Sequence, residues 1–146
     1  MTRTVRFGII GGGLMGREFV SAAARWIHLD DMDVQPEIVA VCDIDPSILR
    51  WFERMDPRPD LVTDYLELLG DNSIEAVYCA VPHHRHEEIY RAVLQHGKHL
   101  LGEKPFGIDL QQTGKSSKQR VPLLNLSYDA PQSSPSIRVV RKQPNG

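Results

Sequence analysis

Three glycines spaced Gly11-x-Gly13-x-x-Gly16 stand between a short apolar run, Val5 to Ile10, and an Ala-rich segment of helical periodicity. A strand that ends in a tight glycine turn and feeds a helix start offers unpaired backbone N–H groups to a phosphate. The residues have separable tasks: Gly11 makes the sharp turn, Gly13 lets the backbone approach a diphosphate, and Gly16 brings helix against strand. The amides of Leu14 and Met15 complete the cradle. A second apolar run, Ile38 to Cys42, stops at Asp43. A carboxylate there can accept from both ribose hydroxyls of a dinucleotide, or it can cap the helix that follows. It stands further from Gly13 than the roughly 20 residues usual for this pairing, and a long loop after the first helix accounts for the difference. With Asp45 close by and no arginine directly after, a 2′-phosphate would meet like charge, so NAD is expected in preference to NADP.

Two further groups could do chemistry. Ala76 to Val81 is strongly apolar and leads through Ala80 and Pro82 to His83, His84, Arg85 and His86. No third ligand at a suitable spacing accompanies these histidines, so no metal site is expected. At the carboxyl end of a central strand they border the crevice where open α/β sheets bind ligands. His86 is the candidate donor to cofactor or substrate, and His83 and His84 are expected as exposed helix-start residues. The run His99 to Leu101 leads to Glu103-Lys104-Pro105. A lysine there can polarise a carbonyl or hold a hydroxyl, with Pro105 fixing the turn that aims it; a surface lysine beside its carboxylate neighbour is the alternative. Asp30, Asp31 and Asp33 specify no ligand geometry and read as a solvated loop.

The elements that must position these groups follow from periodicity. Strands are expected at Val5–Ile10, Ile38–Cys42, Leu61–Val62, Ala76–Val81 and His99–Leu101, and helices at Leu14–Ile27, Pro46–Glu53, Tyr65–Leu69 and His86–Gly97. In the first helix Met15, Phe19, Ala23 and Trp26 form the stripe expected to face the sheet. This alternation predicts an α/β fold, a doubly wound, mostly parallel Rossmann-like sheet with helices on both faces. The dinucleotide-binding domain is assigned to residues 1–126, irregular from about 111, where QQTGKSSKQR has no apolar stripe; Val121 to Leu126 suits a sixth strand. Residues 127–146, rich in Ser and Pro, are expected to be a disordered or partner-held tail.

With 146 residues, the chain holds one core of ordinary size. It is 41% hydrophobic and 25% charged with a net charge of −2, which speaks for a soluble globular protein and against nucleic acid as a partner. The basic, apolar start is too short and glycine-interrupted for a signal peptide, and no apolar run reaches the roughly 18 residues of a membrane span. A cytoplasmic location is expected. The two cysteines, Cys42 and Cys79, fall inside apolar runs and read as buried free thiols.

From Val5 to about Leu110 the sequence resembles the N-terminal nucleotide-binding domain of the glucose-fructose oxidoreductase, inositol dehydrogenase and rhizopine-catabolism family (Gfo/Idh/MocA). The resemblance rests on the glycine loop, on Val41-Cys42-Asp43, on Val77 to His86, and above all on Gly97-Lys98-His99 continuing into Glu103-Lys104-Pro105. It implies an NAD(P)-dependent dehydrogenase moving hydride between nicotinamide and a sugar, polyol or related metabolite. Lys104 is then a catalytic or substrate-orienting residue near the nicotinamide. The implied cofactor contacts are Gly11, Gly13, Leu14, Met15, Gly16, Asp43, Ala80, Pro82, Glu103 and Lys104. The family's strand-end motif, often Thr-Pro-Asn-x-x-His, is matched at Pro82 and His86 but not at Val81 and His83. Family members also carry a second α/β domain that supplies the substrate pocket, further acid/base residues and most of the oligomer interface. Nothing after Leu126 reads as such a domain, so a truncated, spliced or frameshifted product is expected, weak or inactive alone and a possible homo-oligomer. The alternative is a non-catalytic interaction or regulatory module derived from such a dehydrogenase.

Overall fold

The computed structural model describes residues 2–28, 33–102 and 138–140. Strands β1 (Arg3–Ile10), β2 (Val34–Cys42), β3 (Asp60–Val62), β4 (Ala76–Cys79) and β5 (His99–Gly102) are mutually parallel, and β6 (Arg138–Val140) runs antiparallel on β5. The order across the sheet is β3-β2-β1-β4-β5-β6. The chain winds outward from β1 to β3, then crosses back to β4 on the other side of β1. That reversal opens a crevice above the carboxyl ends of β1 and β4.

The strands read as continuous apolar runs because both faces are covered. On one face α1 (Leu14–Ala24), α2 (Pro46–Leu49) and the 3₁₀ segment Arg50–Arg54 close over a cluster that includes Ile9, Val41, Phe52 and Tyr78. On the other, α3 (Tyr65–Gly70) and α4 (His86–Gln95) cover Ile10, Cys42, Val77, Cys79 and Leu100. Successive residues of one strand thus belong to opposite cores, as the two-residue period of a strand requires. Full burial of a side chain such as Phe52 contributes roughly 2–3 kcal/mol. The expected free thiols, Cys42 and Cys79, are both buried.

Several local features differ from the sequence reading. The first-helix stripe consists of Phe19, Val20 and Ala23 behind the buried Gly16, whereas Met15 is 40% exposed. The helix approaches its strand so closely at Gly16 that Met15 is carried to the outer side. Strand β2 begins at Val34 and takes in Pro36, part of the expected acidic loop. Only its last three residues pair with β3, so the proline, which has no N–H, lies where that side of β2 has no neighbour. The second helix stops at Leu49 and tightens into 3₁₀ geometry. Strand β4 ends at Cys79, two residues early, since Pro82 cannot extend a ladder. Residues 138–140, within the tail expected to be disordered or partner-held, form β6. The expected strand at Val121–Leu126 and the irregular segment from 111 lie outside the described residues. Among the described residues no helix is long and apolar enough to cross a membrane, and no group of three or more ligating side chains could hold a metal.

Candidate functional site

The bend between β1 and α1 is built by contacts that only glycine permits. Gly11 has φ +99°, a left-handed conformation that L side chains rarely adopt, and a Cβ there would lie 2.5 Å from the Ala80 carbonyl oxygen. Its N–H donates to the Cys42 carbonyl at 2.9 Å, which ties the bend to β2. A Cβ on Gly16 would overlap the Gly11 carbonyl oxygen, so helix and turn are in backbone contact. Gly13 is different: nothing lies within 4 Å of the place a Cβ would occupy. That open space is where a diphosphate can rest on the main chain. The first helical bond runs from the Arg17 N–H to the Gly13 carbonyl, which leaves the amides of Leu14, Met15 and Gly16 without a helical acceptor. No carboxylate of the first turn of α1 itself offsets the positive end of the helix dipole.

Asp43 faces this bend from the end of β2. Its Oδ2 accepts from the Gly12 N–H and its Oδ1 from the Asp45 N–H, each at 2.9 Å. The helix cap, the alternative reading for Asp43, is Asp45 instead: its Oδ1 accepts from the Ser47 N–H at the start of α2, and hydrogen bonding from the Ser47 side chain and then from this N–H holds the Asp45 carboxyl below its usual pKa. Each Asp43 oxygen retains a lone pair for a ribose hydroxyl.

The turn and Asp43 form one wall of a cleft of about 540 Å³. Among the residues expected at the site, Gly11, Gly13, Asp43, Ala80 and Pro82 line it together. Leu14, Met15 and Gly16 are not among its lining residues: Leu14 and Met15 are 73% and 40% exposed, and Gly16 is buried as packing. Glu103 and Lys104 lie outside the described residues; the last described residue of β5 is Gly102, whose Cβ would collide with the Tyr90 ring.

His86 is 1% exposed and turned into the fold. Its Nε2 is 2.9 Å from the Val81 carbonyl; a carbonyl can only accept, so this nitrogen carries the proton. The ring stacks on Tyr90 at 4.7 Å and 17°. In this geometry it braces the strand-end turn and does not line the cleft. The reason is the 3₁₀ turn His83–Arg85, which rotates the start of α4 so that His84 and Arg85 face the cleft. Ile44, Thr63 and Tyr65 line it as well, and none was singled out from the sequence. The signal was available: each follows the carboxyl end of a parallel strand. The Tyr65 hydroxyl donates to Glu88 Oε1 at 2.7 Å, and Arg85 approaches the same oxygen at 3.4 Å. The Tyr65 bond and then the Arg85 charge hold the Glu88 carboxyl below its ordinary range.

A glycine bend with open amides, an acidic residue at the end of the adjacent strand and a cleft at the sheet reversal define a Rossmann dinucleotide-binding domain. The profile of the oxidoreductase family with an NAD-binding Rossmann fold, GFO_IDH_MocA, matches residues 5–119, and the chain belongs to that family. Levoglucosan dehydrogenase of Pseudarthrobacter phenanthrenivorans is 30% identical over 117 residues, 80% of this chain and 29% of the relative. Inositol 2-dehydrogenase of an Arthrobacter species is 30% identical over 115 residues, 79% of this chain and 32% of the relative. Among solved structures, levoglucosan dehydrogenase in complex with NADH superposes with a TM-score of 0.70 at 26% identity, covering 77% of this chain and 30% of that one. An NAD-binding oxidoreductase from Klebsiella pneumoniae gives 0.71 at 26% identity, covering 80% and 31%. The chain therefore spans about a third of the length of these relatives.

Proposed function

We propose that the cleft holds NAD(H), with the diphosphate on the Leu14, Met15 and Gly16 amides and the adenosine ribose on Asp43. Ala80 and Pro82 border the nicotinamide half. The observation that carries this reading is the open space over Gly13 in a cleft that Asp43 also lines. NAD is favoured over NADP because a 2′-phosphate would be set beside the carboxylates of Asp43 and Asp45. When bound, the nicotinamide supplies hydride chemistry; the residues of this chain orient it and shield one face. His86 acts here by holding the Val81 carbonyl and so the turn at Pro82.

The full reaction we infer is hydride transfer between nicotinamide and a carbinol carbon of a sugar or polyol, the substrate class of the levoglucosan and inositol relatives. Lys104, assigned from the Glu-Lys-Pro motif, would stabilise the developing oxygen charge, with Glu103 beside it. Turnover by these residues alone is expected to be weak or absent, because the relatives are about three times longer and the substrate pocket of the family lies in their second domain. A cytoplasmic setting and self-association remain parts of this proposal. Titration with NADH, followed by fluorescence, tests it. Saturation at or below millimolar cofactor is expected, and a flat titration to that concentration removes the binding claim.

A further inference from the structure

We propose that Asp43 is a positioning residue for the glycine turn as well as a ribose acceptor: its carboxylate holds the Gly12 amide and thereby sets the geometry in which the following amides receive a diphosphate. The inference deepens the cofactor reading above and rests on it for the identity of the ligand.

Gly12 is the residue between the left-handed Gly11 and the open Gly13. A Cβ on Gly12 would meet Phe52 at 3.0 Å and Ile48 at 3.1 Å, so the turn lies against apolar side chains on that side. Its N–H finds its acceptor in Asp43 Oδ2. Without that acceptor the amide would remain unpaired beside Phe52, or the turn would rotate to reach water. Asp43 is itself well anchored. Its own N–H donates to Val62 O at 3.2 Å, the preceding Cys42 carbonyl accepts from Gly11, and Asp43 Oδ1 accepts from Asp45, the cap of α2. The carboxylate itself thus joins the glycine turn to Asp45 at the start of α2, while the main chain of Cys42 and Asp43 ties the same point to Gly11 and to the end of β3. Asparagine would keep one oxygen that can still accept from Gly12 and set its –NH₂ group against the Asp45 N–H, whereas alanine removes the acceptor altogether.

The alternative, ribose contact alone, predicts the opposite sign for one measurement. Removing a negative charge beside an anion site tightens binding of an anion that lacks ribose. The experiment compares wild type with Asp43→Ala using NADH, ADP and inorganic diphosphate, together with amide hydrogen exchange on the ligand-free proteins. Expected are Gly12 exchange at least tenfold faster in the variant and weaker binding of ADP and diphosphate, by about tenfold. Unchanged Gly12 exchange, or diphosphate held as well or better by the variant, overturns the proposal. If the variant does not fold, ligand-free wild type decides: a through-hydrogen-bond coupling between the Gly12 nitrogen and the Asp43 carboxylate carbon supports the clamp, and its absence overturns it. Failure of wild type to bind NADH would sink the cofactor reading alone, since coupling and exchange are read without ligand.

Discussion

At the scale of single residues, Gly16 shows how much of the site is steric. Its missing side chain lets α1 touch the Gly11 carbonyl, so Gly16→Ala must push backbone away from backbone. We expect a loss of about 1–3 kcal/mol in stability, typical of overpacking, and NADH affinity reduced by at least tenfold. Denaturant unfolding and a fluorescence titration measure the two effects separately. The buried thiols give a pH prediction. Burial, and for Cys42 also the Asp43 charge, pushes both thiols up to about 12 from an ordinary value of 9.0. The folded state then keeps protons that the unfolded chain releases, so the contribution to stability is fully present below pH 9 and falls as pH rises towards 12. Urea midpoints across that range should decline, and neither cysteine should react with a thiol reagent at neutral pH before unfolding. The glycine bend was legible in the sequence because each glycine answers a local steric demand. The inward turn of His86 was not, since it depends on the 3₁₀ geometry of the three residues before it, and nothing in their types distinguishes that from a direct helix start.

At the scale of elements, the joints matter more than the helices. Lys98, at the Gly97 stop after α4, buries its chain and donates from Nζ to the carbonyls of Asp71 at 2.6 Å and Ile74 at 3.0 Å. Burial lowers the pKa of its ammonium. It thus ties the α3–β4 connection to the start of β5. Lys98→Met should retain the buried stem and leave both carbonyls without this donor, at a cost of about 1–3 kcal/mol measured by unfolding, with NADH affinity little changed because the joint is at the far end of the sheet. His86→Phe separates bracing from chemistry in a similar way. The ring can still stack on Tyr90 while the Val81 carbonyl loses its donor, so NADH and ADP should both weaken severalfold; a loss confined to NADH would instead place His86 at the nicotinamide. The apolar strands were readable from composition, since burial on both faces demands it. The pairing of residues 138–140 was not, because a three-residue antiparallel contact across a long connection leaves no local periodicity.

At the scale of the molecule, the sheet reversal collects the loops after β1, β2, β3 and β4 into one cleft. A ligand held there touches segments far apart in sequence, so binding should raise the unfolding temperature of the whole domain. At a free NADH concentration of 100 times Kd, the stabilisation is about 2.7 kcal/mol. NADPH at the same concentration should give a smaller thermal shift, and the difference should shrink as salt screens Asp43 and Asp45. An equal or larger shift with NADPH would reverse the cofactor preference. The fold class and the end of the sheet where the cleft opens were legible because topology and glycine chemistry agree. The wall formed by Tyr65, His84 and Arg85 became visible only with the register of β3 and β4, which fixes where each strand ends.

The two outermost strands of the described sheet, β3 and β6, are each only three residues long. Bordering strands this brief, together with Pro36 in the stretch of β2 that β3 leaves uncovered, present too few free amides and carbonyls to recruit a neighbour into a growing ribbon. The folded domain should consequently seed thioflavin-positive fibrils poorly even at high concentration, and removing residues 138–140, which uncovers the four-residue flank of β5, should shorten the lag before they form.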